Sequence, residues 1–140
     1  MADDVQGLTV GSSASFEKTI TQEDIDRFAE VTGDHNPLHS DADYAARTRF
    51  GQTIAHGMLG AGVISAALGT KLAPDGVVVY LGQTLQFRGP VSAGDTITAT
   101  VTVTEVDAER GRLTIDTTVS NQDGNEVIRG EAKIMVDALK

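Results

Sequence analysis

The fold is decided by one stretch, His56-Gly57-Met58-Leu59-Gly60-Ala61-Gly62-Val63-Ile64-Ser65-Ala66-Ala67-Leu68-Gly69-Thr70-Lys71-Leu72. Its apolar and small residues leave no continuous polar face, which is typical of a helix that has protein on most sides. Small residues recur in it at spacings of three and four, and they are Gly62, Ser65, Ala66 and Gly69. Because small side chains let another backbone approach closely, we expect a long buried helix against which something packs tightly.

The chain after Pro74 changes to a period of two, which is typical of strands that bury one face. Four runs rich in Val, Ile and Thr are separated by glycine-containing turns. They are Val77 to Phe87, Thr96 to Val106, Leu113 to Val119 and Val127 to Val136. With a further short strand near Ser13 to Ile20, the sequence predicts an α+β fold of about five antiparallel strands and one long helix.

Two more helices are expected before the apolar stretch. Thr21 is placed to cap a helix that has Asp24 three residues further on and that stops at Gly33. The segment from Asp34 to His39 is expected to be a loop, because the residue before a proline is pushed toward extended geometry. A short helix follows, from Asp41 to about Arg47.

Length and composition fit one domain. The chain has 140 residues, of which 40% are hydrophobic, enough for one core and too few for a second. No internal repeat or low-complexity linker is visible. We therefore assign residues 1–12 to a flexible N-terminal segment and residues 13–138 to a single domain.

Charge and targeting signals narrow the class of protein. The 11 Lys+Arg against 20 Asp+Glu give a net charge of −9, which repels nucleic-acid phosphates. The chain has no cysteine, which suits a reducing compartment. Its acidic start lacks the basic and apolar segments of a secretory signal, and the glycine-rich apolar run falls short of a membrane span. We expect a cytoplasmic protein with no nucleic-acid or membrane partner.

The segment Asp34-His35-Asn36-Pro37-Leu38-His39 carries the most informative chemistry. A carboxylate accepts a proton, whereas an imidazole donates or accepts one near neutral pH, so Asp34 and His39 together suit the addition or removal of water. The alternative is an aspartate beside a helix end and a surface histidine. Three histidines and Asp34 also raise the question of a metal, but their spacing matches no common ligand pattern, and we expect none.

Other polar residues near this segment have a structural and a functional interpretation. Gly57 opens the apolar helix, so its N–H has no partner within the helix and could stabilise an enolate oxygen, or the glycine could simply permit a tight entry. Asn36 next to Pro37 is typical of a turn, and Asn36 is also a candidate functional residue. His56 could be a structural histidine, and His35 could face solvent.

Four segments together resemble the MaoC-like (R)-specific enoyl-CoA hydratases over about residues 13–136. They are Asp34 to His39, Arg49-Phe50-Gly51, Ile54-Ala55-His56-Gly57-Met58-Leu59, and Phe87-Arg88-Gly89-Pro90-Val91 with Gly94-Asp95. The resemblance implies the hot-dog fold, in which an antiparallel sheet wraps a long central helix. It also implies homodimers whose sheets join edge to edge.

By position, the resemblance makes Asp34 and His39 the catalytic dyad and Gly57 the source of the oxyanion-hole amide, with Ser65 supporting the site. It implies that water held by the dyad adds to a trans-2-enoyl thioester and gives the (R)-3-hydroxyacyl product, reversibly. We also place Asn36, His56 and Arg88 among the substrate-binding residues. No cofactor is expected beyond the coenzyme A that is part of the substrate.

Arg88 stands where related sequences commonly carry lysine, and a cation there could hold coenzyme A phosphates; it could equally be the solvent-facing end of a strand. Other candidates for a basic cluster are Arg47, Arg49 and Lys71.

Three other functions remain open. They are a hot-dog acyl-CoA thioesterase, an (R)-3-hydroxyacyl-carrier-protein dehydratase, and a non-enzymatic acyl-thioester binding subunit of a larger complex.

Overall fold

The structure, a computed structural model, describes residues 3–140 and is built around one five-stranded antiparallel sheet. The strands stand in the order β1-β3-β4-β5-β2, so β1 and β2 form the two edges. Their bounds are Ser13–Thr19 (β1), Val77–Phe87 (β2), Thr96–Asp107 (β3), Arg112–Ser120 (β4) and Glu126–Asp137 (β5). These ranges confirm the five strands that the sequence predicts.

The alternation of residues along β3 shows why the sheet has one buried face. Ala99, Val101 and Val103 are at most 1% exposed, and threonines occupy the positions between them. A strand with this pattern turns its apolar side chains toward the core and its hydroxyls toward solvent. The central helix covers the apolar face.

The helices begin and end close to the expected residues. α1 spans Gln22–Thr32, and Thr21 and Asp24 cap it reciprocally. Gly33 ends it with φ 84°, a left-handed conformation that glycine adopts without strain. After a short 3-10 turn at Pro37–His39, α2 spans Ala42–Ala46. The capping signals in the sequence therefore located α1, whereas the 3-10 turn lies within the segment that was expected to be a loop.

The central helix, α3, spans Gly57–Ala66 and continues as a π-helical turn over Ala67–Leu72. It buries Val63, Ile64, Ala67 and Leu68 against the sheet. The expectation of protein on most sides is wrong for the single chain, because part of the small-residue stripe is exposed: Gly62, Ser65 and Gly69. Periodicity identified the apolar helix, but it could not show which face the chain itself covers.

The beginning of the described chain lies against the domain. Val5 is 4% exposed within the core, and Gly11 N donates to Val103 O at 2.9 Å. The domain boundaries at residues 12 and 138 stay a prediction.

The α+β architecture of a sheet around one long helix is confirmed and is the hot-dog fold. Between residues 3 and 140, none of the helices has the length and apolar character needed to cross a bilayer.

Candidate active site

The loop after α1 is shaped by short-range hydrogen bonds. Asn36 N donates to Asp34 Oδ1 at 3.2 Å, and Leu38 N donates to Asn36 Oδ1 at 3.0 Å. Asn36 thus caps the 3-10 turn at Pro37–His39, which is the turn chemistry of the residue. The turn places Asp34 and His39 in one cavity; binding of substrate by Asn36 stays a prediction.

The contact of His39 defines which of its nitrogens is available for reaction. Nδ1 lies 2.8 Å from the backbone carbonyl of Ile54. A carbonyl oxygen only accepts hydrogen bonds, so Nδ1 carries a proton, and Nε2 is left for proton transfer. Ile54 therefore fixes both the tautomer and the direction of the half-buried His39 ring.

Asp34 and His39 lie close together in one cavity. One side-chain oxygen of Asp34, one ring nitrogen of His39 and one of His56 lie within 4.8 Å of one another. Within residues 3–140 the Asp34 carboxylate and the His39 ring are not hydrogen-bonded directly. Two hydrogen bonds of about 2.8 Å each to one water can span such a distance.

His56 is the buried wall of this cavity, with 3% of its surface exposed. Its Nε2 lies 3.0 Å from the backbone carbonyl of Asp34. Its ring stacks on His39 with centroids 3.7 Å apart and planes at 25°, and Phe28 lies 4.7 Å away at 48°. His56 therefore contacts both residues of the dyad.

The two stacked imidazoles disfavour a metal ion. A histidine ligand holds an ion close to its own ring plane, at about 2.0–2.1 Å from the nitrogen. Ring planes that are nearly parallel and 3.7 Å apart do not meet so close to either ring. Asp34, His39 and His56 therefore suit hydrogen bonding better than shared ligation, and the expected lack of a metal stays a prediction.

Gly57 begins α3 beside the dyad. The backbone N–H groups of a first helical turn have no intrahelical acceptor, and for Gly57 N there is none elsewhere in residues 3–140. The residue is exposed and lines the same cavity as Asp34 and His39. A Cβ added to Gly57 would lie 2.8 Å from the Phe87 ring. A larger residue at this position would therefore displace the Phe87 ring, and the amide of Gly57 is free to bind an oxyanion.

Two cavities meet at His56, Gly57 and Met58. One, of about 430 Å³, is also lined by Phe28, Thr32 and the dyad. The other, of about 600 Å³, extends between α3 and the residues after β2, past Phe87 and Pro90. We call the first the dyad cavity and the second the entrance groove, and together they form a path from the surface to Asp34 and His39.

Two of the candidate cations line the entrance groove. Arg49 and Arg88 do, whereas Arg47 and Lys71 do not. Arg88 is already engaged, because its Nη1 lies 3.1 Å from Glu126 Oε1 and its Nη2 donates to Gln86 at 2.9 Å. A half-exposed ion pair of this kind is weak enough to be exchanged for a phosphate. Substrate binding by Arg88 stays a prediction.

Ser65 lies in a different cavity, of about 470 Å³, between α3 and β2. Met58 links this cavity to the dyad cavity, and Tyr80 forms part of its wall. Tyr80 donates to Gln83 Oε1, and burial raises the pKa of its phenol to about 12, so it stays a neutral donor at physiological pH. The structure does not bring Ser65 to the dyad directly, and its supporting role stays a prediction.

Sequence reasoning missed several parts of the site. The Ile54 carbonyl, the Phe28 ring and the Phe87 ring all contact the residues discussed above. Phe28 was visible only as an apolar position of α1, and a backbone carbonyl carries no signal in a sequence. Such contacts join segments distant along the chain, so periodicity could not reveal them.

Comparison with known proteins gives a consistent result over nearly the whole chain. Residues 7–126 match the family described as MaoC like domain. The chain is 49% identical to the (R)-specific enoyl-CoA hydratase of Rhodospirillum rubrum (95% of this chain, 91% of the relative). It is 46% identical to the 3-hydroxybutyryl-CoA dehydratase of Methylorubrum extorquens (94% and 82%). The unliganded R-hydratase of Pseudomonas aeruginosa superposes with a TM-score of 0.87 at 42% identity (99% and 88%).

Proposed function

Because the chain belongs to the MaoC-like domain family, we propose that it is an (R)-specific enoyl-CoA hydratase, a hydro-lyase acting on trans-2-enoyl-CoA. Relatives at 40–49% identity over most of the chain carry that name or the name of the reverse reaction. The observation that carries the proposal is that Asp34 and His39, with side-chain atoms within 4.8 Å of each other, share one cavity with Gly57. A carboxylate, an imidazole and a free amide at one place suit the addition of water next to a thioester.

The thioester carbonyl oxygen accepts a hydrogen bond from Gly57 N. As water attacks C3, negative charge develops on this oxygen in an enolate-like transition state. The amide and the N-terminal end of the α3 dipole stabilise that charge where it appears. Stabilisation that grows in the transition state accelerates the reaction.

Asp34 and His39 handle the two proton transfers. Asp34 takes a proton from the water as the oxygen bonds to C3. His39, protonated at Nε2 while Nδ1–H stays on the Ile54 carbonyl, gives its proton to C2 on the same face. Asp34 ends protonated and His39 neutral, and transfer of the proton between them through solvent restores the starting state. The reverse sequence dehydrates the (R)-3-hydroxyacyl thioester.

Incubation with crotonyl-CoA tests the function. We expect loss of the enoyl absorbance without release of free thiol, and a product of the R configuration. Thiol release would identify a thioesterase instead. A protein that binds acyl-CoA but turns over no faster than its Asp34→Asn variant would be the non-enzymatic subunit. Activity on the carrier-protein thioester that exceeds activity on the coenzyme A thioester would favour the carrier-protein dehydratase.

No cofactor enters this reaction, because every proton transfer uses water or a side chain of the chain. We expect full activity after exhaustive dialysis against a chelator of divalent metals. Activity that falls on dialysis and returns with a metal would contradict this part of the proposal. A cytoplasmic location completes the proposal and is supported by the absence of cysteine, which suits a reducing compartment.

The exposed edge of the sheet supports a homodimer. β2 pairs with β5 on one side only, and it carries Val77, Tyr80, Leu81 and Phe87, which are 39–52% exposed. An edge strand with unpaired backbone groups and apolar side chains is an established site of strand addition. The exposed small-residue stripe of α3 lies across the Ser65 cavity from Leu81. A second copy that joins along β2 would cover both.

Leu81→Lys tests this dimer by placing a charge on the exposed edge. We expect sedimentation equilibrium to show a dimer for the wild type and weakened association for the variant. Thr100→Lys is the control, because Thr100 is also exposed but lies on β3 inside the sheet. A wild type that sediments as a monomer, or a Leu81→Lys variant that associates as tightly as the control, would contradict the homodimer.

A further inference from the structure

His56 is the one buried ionisable group at the site that the mechanism above does not use. It is 3% exposed, and its Nδ1 is fully buried without a hydrogen-bond partner in the described chain. Buried polar atoms are normally paired, so an unpaired one at a reaction site needs a reason. The sequence placed His56 among the substrate-binding residues. With one nitrogen occupied and the other buried, it has no accessible group to offer a substrate.

The contacts of His56 determine its tautomer. Nε2 lies 3.0 Å from the Asp34 backbone carbonyl, which only accepts, so the proton is on Nε2. Nδ1 is then the bare nitrogen, a buried acceptor to which no group in the described chain donates. His39 has the opposite arrangement, since its Nδ1 donates to the Ile54 carbonyl. Two stacked histidines thus carry their protons on different nitrogens, each fixed by a backbone carbonyl of a different segment.

Each contact of His56 restrains one residue of the dyad. The hydrogen bond to the Asp34 carbonyl fixes the backbone from which the carboxylate projects. The stacked face fixes the plane of the His39 ring, with Phe28 beside His56. A neutral neighbour also adds no repulsion to the positive charge that His39 carries before it protonates C2. One rigid, buried ring therefore sets the distance between two residues on an exposed loop.

We propose that His56 is a positioning residue whose Nε2–H and ring face hold Asp34 and His39 at the separation that one water spans. This inference rests on the proposed hydratase function. It assigns His56 no contact with the substrate or with the water. Misplacement of reacting groups by about 1 Å can cost about 10²-fold in rate, so the effect on catalysis is expected to be large.

Three substitutions separate the two contacts. His56→Gln keeps an amide donor near the Asp34 carbonyl but removes the ring, and His56→Phe keeps a ring against His39 but removes the donor. His56→Leu removes both. We expect kcat to fall about tenfold in the first two variants and about 10²-fold in the third, with KM unchanged. Val103→Ala, a buried change on β3 outside both cavities, is the control for lost stability, and its kcat per folded molecule should equal that of the wild type.

A kinetic cycle with Asp34→Asn shows whether His56 acts through the dyad. If it does, His56→Leu added to Asp34→Asn lowers kcat much less than it does in the wild type, because the group it positions is already lost. Equal losses in both backgrounds would overturn the proposal. So would kcat values in all three His56 variants within twofold of the wild type. A raised KM with unchanged kcat would make His56 a substrate-binding residue instead.

A second measurement does not depend on activity. Long-range ¹H–¹⁵N correlation spectra of the wild type should show the proton on Nε2 of His56 and on Nδ1 of His39. The ring resonances of His39 should shift in His56→Gln and His56→Leu, and less in His56→Phe. Unchanged His39 resonances in all three variants would overturn the positioning role even in a protein that hydrates no enoyl thioester. Failure of the wild type in the crotonyl-CoA assay, by contrast, would refute only the proposed function.

Discussion

The loop that carries Asp34 and His39 and the helix turn that faces it differ in how they are held. Asp34, His35 and Asn36 are exposed, and local hydrogen bonds shape their loop. The facing turn from His56 to Gly60 is fixed by packing against distant residues. His56 contacts α1 and the loop, and the small size of Gly57 and Gly60 admits Phe87 and Ile128.

This difference separates two tasks. Residues on the exposed loop supply the reacting groups, and their side chains contribute little to the core. Residues of the facing turn supply the amide and the wall beside those groups. Substitutions in the loop should therefore reduce activity with little effect on stability, whereas substitutions in the turn should affect packing first and catalysis through it.

The largest effect is expected at the dyad. Asp34→Asn and His39→Ala should each lower kcat by about 10² to 10⁴-fold, because each removes a proton-transferring group. For Asp34→Asn the free energy of unfolding in urea should stay within about 0.5 kcal/mol of the wild type. If Asp34→Asn instead loses activity because the variant unfolds, the loop also contributes to stability. That result would contradict the distinction between loop and turn.

Gly60→Ala should reduce stability more directly than activity, which is the opposite of the dyad variants. An added Cβ would lie 2.9 Å from Cδ1 of Ile128, which is 2% exposed, so this buried side chain would have to shift. We expect a loss of about 1–3 kcal/mol in urea unfolding. Adding Ile128→Val, which removes the contacted methyl group, should recover part of the loss. If the double variant recovers no stability, the contact with Ile128 is not the cause of the loss in Gly60→Ala.

Gly57→Ala should lower kcat/KM by about tenfold, which corresponds to about 1.4 kcal/mol. The added Cβ would displace the Phe87 ring, which is 52% exposed and lines the entrance groove. The ring can move outward, so stability should change less than in Gly60→Ala. Combining Gly57→Ala with Phe87→Leu should restore part of the activity if the displaced ring causes the loss, and none if the added methyl group itself obstructs the substrate.

The smallest effect is expected at the far end of α1. Thr21→Ala removes a side chain that accepts from Asp24 N at 3.1 Å and should cost about 1 kcal/mol of stability without changing kcat. The hydrogen bond from Thr21 N to the carboxylate lowers the pKa of Asp24. The stabilisation is therefore present above the unfolded-state pKa and is lost as pH falls through the folded-state value. In Asp24→Asn, this acid-dependent part of the unfolding free energy should disappear.

The sequence predicted the elements well because their signals are local. Capping residues located α1, and the alternation of apolar and polar residues located the strands. The segment from Asp34 to His39, with Gly57, suggested the candidate site. The sequence did not reveal features that depend on contacts between residues distant along the chain. The glutamate that pairs with Arg88 is 38 residues away, and the carbonyl that orients His39 belongs to Ile54. The exposed stripe of α3 was missed for the same reason, since a helix that is apolar all round does not reveal what covers it.

The central claim is that one water molecule, held between Asp34 and His39, is added to a single face of the double bond. Hydration of crotonyl-CoA in D₂O tests it, with the configuration at C2 and C3 of the product determined by proton NMR. The account predicts one deuterium at C2, on the same face as the new hydroxyl, and an R configuration at C3. Deuterium on the opposite face, or an equal mixture of both C2 configurations, would contradict a dyad that acts from one side.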